Sequence, residues 1–99
     1  MRGRSWMAIL AGLAVFAAGC GKPPVLDGNT EERFQSSLEQ VVKDLPMAKQ
    51  QQVKEAVTLI RTKETAVWRG RGEKEAPQIA RVQMTGMNAD DILAKAAQY

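Results

Sequence analysis

Thr30-Glu31-Glu32-Arg33-Phe34-Gln35-Ser36-Ser37-Leu38-Glu39-Gln40-Val41-Val42-Lys43-Asp44-Leu45-Pro46 is the stretch that decides the fold. Thr30 offers a hydroxyl to the free amides of a first helical turn, and Glu31 and Glu32 put negative charge at the positive end of that helix. Phe34, Leu38, Val41, Val42 and Leu45 then recur at spacings that share one helical face. Asp44-Leu45-Pro46 closes this helix and opens another, because proline is disfavoured inside a helix and welcome in its first turn.

Downstream, the spacing predicts a second helix from about Pro46 to Trp68, with Val53, Ala56, Val57, Ile60, Val67 and Trp68 on one side and Lys49, Gln52, Lys54, Glu55 and Arg61 largely elsewhere. So short a connection between two apolar stripes predicts an antiparallel hairpin. Arg69-Gly70-Arg71-Gly72 ends the second helix, with Gly70 the expected left-handed cap. After Glu73-Lys74-Glu75-Ala76-Pro77, the run Gln78 to Met84 fits either a short helix or an extended link, so residues 72–87 stay open. Asn88 with Asp91 has the form of a capping arrangement, and Ile92, Leu93, Ala96 and Ala97 give a last helix to about Gln98. No repeat and no strand alternation stands out. The expected fold is all-α over residues 30–99, a small helical hairpin plus a short C-terminal helix.

Upstream, Gly21 to Asn29 holds two prolines, two glycines and turn formers, which reads as a flexible tether over residues 20–29 on which Val25 and Leu26 are the docking candidates. Before it lie Arg2 and Arg4, then fifteen uncharged residues from Ser5 to Gly19, then Cys20. Basic, apolar, small is the order of a secretory signal peptide, here residues 1–19. As a helix this run would rise only about 22 Å, short of the roughly 30 Å hydrocarbon core of a bilayer.

Ala17-Ala18-Gly19-Cys20 resembles the lipobox of bacterial lipoproteins, with Ala17 where that pattern prefers Leu. The resemblance implies a diacylglycerol thioether on Cys20, cleavage between Gly19 and Cys20, and usually a further acyl chain, such as palmitate, on the new amino group. Sulfur is the nucleophile in that chemistry, so serine would not serve. Several chains make a firm anchor, since each buried methylene contributes about 0.8 kcal/mol and a single chain holds weakly. Cys20 is the only cysteine, so no internal disulfide can form. Gly21 in place of Asp after Cys20 implies, in a Gram-negative host, transfer to the periplasmic leaflet of the outer membrane; in a host with one membrane, the body stands on its outer face.

Two blocks carry a further resemblance. Val25-Leu26-Asp27-Gly28-Asn29-Thr30-Glu31-Glu32-Arg33-Phe34-Gln35-Ser36-Ser37-Leu38 and Thr85-Gly86-Met87-Asn88-Ala89-Asp90-Asp91-Ile92-Leu93-Ala94-Lys95-Ala96 resemble the two ends of a family of small, uncharacterised bacterial lipoproteins. That likeness implies an architecture and an address, and it transfers no activity.

Loss of residues 1–19 removes two of the 14 basic residues and none of the 11 acidic ones, leaving 12 against 11. The basic balance that would suit nucleic acid is then nearly gone, and export separates the chain from it. Catalysis is not expected. The chain has no His, the commonest general base and metal ligand, and Cys20 is spoken for. The adjacent pairs Glu31/Glu32 and Asp90/Asp91 diverge by about 100° on a helix and suit helix-start electrostatics. No cofactor or metal is expected.

Two features invite other readings. Trp68, Arg69 and Arg71 combine an aromatic with two guanidinium groups and are candidate contacts for a phosphate or carboxylate of the envelope; the alternative is a core Trp68 with both arginines serving the negative end of the helix. Met47, Met84 and Met87 suit either core filling or an adaptable binding surface. Leu, Ile, Val and Phe number only 16 among residues 20–99, a thin core that favours self-association or docking on an envelope protein. The expected role is therefore a membrane-anchored, non-catalytic structural or interaction module of the cell envelope. The alternative is a small membrane-active lipoprotein of the lysis or stress type.

Overall fold

The computed structural model describes residues 22–99. Among them there are four α-helices and no strand: α1 (Glu31–Val42), α2 (Met47–Trp68), α3 (Glu75–Gln83) and α4 (Ala89–Ala96), with one 3-10 turn at Arg69–Arg71 following α2. None of these helices is long and apolar enough to cross a membrane.

Thr30 starts α1 as its sequence promises: its backbone is extended and its hydroxyl accepts the Arg33 amide at 3.0 Å. Phe34, Leu38, Val41 and Val42 form the buried face. The helix ends at Val42, and Leu45, still half-buried against the core, belongs to the turn. Pro46 is extended and its carbonyl takes the Gln50 amide at 2.9 Å, while the Gln50 side chain donates to the Leu45 carbonyl at 2.8 Å. The break is thus sealed by backbone and side chain together.

Val53, Ala56, Val57 and Ile60 are the buried stripe of α2. Val67 continues that stripe in phase but is 67% exposed, contrary to its expected place on the packed side. Its level is the cause: Glu31, the first residue of α1, bonds to Arg61, so α1 does not reach the height of Val67.

The helices alternate in direction. Glu31–Arg61 and Glu39–Lys54 contacts run α1 antiparallel to α2, whereas Lys49–Asp90 and Glu64–Lys95 contacts run α4 parallel to it. The expected α1–α2 hairpin is present, yet the backbones that approach α2 most closely are those of α3 and α4. Side-chain size explains the order. α1 buries a Phe, a Leu and two Val, which hold its axis away, while α3 buries Ala76 and Ala80 and so comes near.

The open segment resolves as helix. Gly72, at φ 129, reverses the chain and accepts the Ala76 amide at 3.0 Å; Pro77 then falls in the first turn of α3, where its missing N–H costs nothing. Gly86, at φ 91, makes the next turn, and Asn88 begins α4 with a full capping box: its side chain accepts the Asp91 amide at 2.8 Å and its own amide donates to Asp91 at 3.1 Å.

Ahead of α1 the chain is a docked strap. Leu26 is 1% exposed among Phe34, Val42, Met84 and Ile92; its amide donates to the Met87 carbonyl and its carbonyl accepts the Gly86 amide, both at 2.9 Å. Val25, the other docking candidate, stays exposed. The folded body therefore reaches back past Thr30 to Leu26.

Candidate functional site

Cys20 and Gly19, the expected lipidation and cleavage positions, lie outside the described residues. What is described is the surface from which the chain leads to them. Pro23 and Pro24 line a shallow groove of about 290 Å³ with Val41, Asp44, Leu45 and the first turn of α4. This end of the molecule gathers the last turn of α1, the start of α2 and the start of α4.

Trp68, Arg69 and Arg71 lie at the other end of α2. Arg69 pairs with Glu73 at 3.7 Å, one helical turn on, and the Arg71 guanidinium lies 5.8 Å from the centre of the Trp68 ring. Trp68 is half-buried, and its indole N–H is covered without a hydrogen-bond partner. Gly70 has no positive φ, contrary to expectation. The 3-10 turn carries the chain one step further before it reverses, so the left-handed burden falls on Gly72. The methionines divide: Met84 is core, Met87 packs against it, and Met47 is exposed.

A cluster that the sequence reading missed joins the strap to the helices. Arg61 grips Glu31 with two bonds of 3.0 and 2.9 Å and lies 4.8 Å over the Phe34 ring. The fork-on-fork geometry is the strongest form of such a pair. Gln35 adds a bond to the same carboxylate at 2.9 Å. The Arg61 bonds, then the Gln35 bond, hold the Glu31 carboxyl down at about 2. Arg81, whose side chain is only 13% exposed, approaches Glu31 at 3.8 Å and donates to the carbonyls of Gly28 at 2.8 Å and Asn29 at 3.3 Å. Gly28 in turn donates to the Thr85 hydroxyl at 2.9 Å, and a Cβ there would run into the Arg81 carbonyl.

At the C-terminus the Tyr99 hydroxyl donates to Glu64, which Lys95 also approaches at 3.8 Å. Burial of the phenol and that bond push Tyr99 up to about 12. In both places the displaced ionisable groups are occupied in holding segments together. Among the described residues no group of three His, Cys, Asp or Glu stands where it could hold a metal ion.

The chain belongs to a family of unknown function, DUF6694, whose model matches residues 7–98. No curated protein and no solved structure matches it.

Proposed function

We propose that the chain is an exported lipoprotein of the cell envelope, anchored through lipid on Cys20 and serving as a non-catalytic structural or interaction module. The observation that carries this reading is the join between address and body. The basic, apolar, small-residue order ends at Cys20, and the folded body takes up the chain at Leu26, a few residues later. A body fitted so close behind the modified residue suits a protein held at a surface.

The non-catalytic part rests on how the reactive groups are used. Glu31 and Tyr99, the two groups with displaced acidity, are bonded to Arg61 and Glu64 in contacts that tie one segment to another. In a Gram-negative host the position would be the periplasmic leaflet of the outer membrane. The finished core and two side-chain-capped helices favour a folded module over a membrane-active peptide.

Mass spectrometry of the membrane fraction tests the address. The expected species begins at Cys20 and carries two or three acyl chains, and a Cys20→Ala variant is neither lipidated nor cut there. A mature chain with a free Cys20 thiol would overturn the proposal. Circular dichroism of a chain beginning at Gly21 tests the module: a cooperative helical melt supports it, and a coil that becomes helical only with lipid supports the membrane-active alternative.

A further inference from the structure

We infer that the end of the body from which the chain emerges rests on the lipid surface, so that α2 stands away from the bilayer and holds the Trp68–Arg71 corner out of reach of its own membrane. This rests on the lipid anchor at Cys20 proposed above, and it adds an interaction face and an orientation.

Length of chain supplies the first argument. Only Gly21 lies between Cys20 and Lys22, and these two steps of chain span at most about 7 Å, comparable to the roughly 5–8 Å depth of one headgroup layer. Leu26 is seated in the core and bonded to Gly86 and Met87, so the six steps from Cys20 to Leu26 set the limit, at most about 21 Å even when fully drawn out. Pro23 and Pro24 meanwhile lie in the groove beside Val41 and Leu45. The end of the body is therefore held nearer the membrane than the far end of α2.

The composition of that end supplies the second. Pro23, Pro24 and Leu45 line the groove at the point of exit, Val25 follows Pro24 and Pro46-Met47 follows Leu45 along the chain, and Met47 is the most exposed large apolar side chain among the described residues, at 79%. In water, Met47 and Val25 gain nothing from this placement; against an interface they lose apolar surface to the lipid. Lys22 and Lys43, both exposed, suit lipid phosphates, while Asp44 at the same rim, with Asp90 already paired to Lys49, keeps the face from being strongly basic. So small a patch would bind a membrane weakly alone, but the anchor makes its contact intramolecular.

The consequence lies at the other end. At about 1.5 Å per residue the 22 residues of α2 carry Trp68 about 32 Å from Met47. Lipid head groups of the anchoring leaflet are then excluded as the partner of Arg69 and Arg71.

Two single-cysteine labels decide the matter. Lipid consumes the Cys20 thiol, so Met47→Cys and Gly70→Cys can each be labelled alone; the first site is exposed, and a Cβ at the second meets nothing within 4 Å. Each full-length lipidated protein is placed in vesicles of phosphatidylethanolamine and phosphatidylglycerol carrying a headgroup-attached quencher. The expected result is loss of most of the emission at position 47 and none at position 70. Quenching at both positions, at neither, or at 70 alone overturns the orientation while the mass of lipidated Cys20 leaves the anchor standing. A chain without lipid on Cys20 overturns both.

Discussion

Replacing Leu26 by alanine separates a strap from a tether. Were residues 20–29 only a spacer, the change would be silent; with Leu26 1% exposed among Phe34, Val42, Met84 and Ile92, it removes a core side chain. Burial of this kind is worth about 2–5 kcal/mol in Leu→Ala changes, and the strap lies at the edge of the body, where neighbours relax into the gap, so about 2–3 kcal/mol is expected. A body of this size has a total stability of about 4–11 kcal/mol by the usual allowance per residue. The loss is thus a large fraction of the whole and should lower Tm by about 10–20 °C. The assay is a circular dichroism melt of the chain beginning at Gly21, with Val25→Ala, an exposed position, as the control. A fall below about 3 °C for Leu26→Ala, or an equal fall for the control, would refute the docked strap.

Gly28→Ala should cost about 1–3 kcal/mol in urea unfolding, because its Cβ meets the Arg81 carbonyl and the Thr85 hydroxyl; an unchanged midpoint would show that the strap can lift there. Asn88→Ala removes the acceptor for the Asp91 amide and should cost about 1 kcal/mol, whereas Asn88→Asp, which keeps an acceptor, should cost less. The Glu31 pair predicts a pH dependence: a carboxyl lowered from 4.5 to about 2 stabilises the fold fully above 4.5 and loses that contribution as pH falls toward 2. With the Glu31 side chain 50% exposed, screening reduces the effect to about 1 kcal/mol, and Glu31→Gln should flatten the stability profile between these values.

Legibility in the sequence followed the range of the interaction. Thr30 over Arg33, Asn88 with Asp91, and the turn at Pro46 all act within a helical turn or so, and each is where its residues put it. The stripe of α1 and the central stripe of α2 were equally readable, since three- and four-residue spacing is itself the geometry of a helix face. α3 was not, because its buried face consists of Ala76 and Ala80, residues that carry little apolar signal until a close partner is known. Val67 failed for the complementary reason: its phase was right, but the partner helix ends below it.

What the sequence determined by itself was an all-helical body, the capped starts of α1 and α4 and the break between α1 and α2. Tertiary structure alone decided that Leu26 is core, that Gly28 must lack a side chain, and that Arg61 and Arg81 meet at Glu31. Prolines and glycines around Leu26 speak of local flexibility, whereas its fixed place comes from Gly86 and Met87, just as Gly28 is bonded to Thr85, 57 positions away. Contacts at such separation depend on how the helices are laid against one another, and that arrangement is set by side-chain volumes summed over the whole core, which no short stretch of the chain contains.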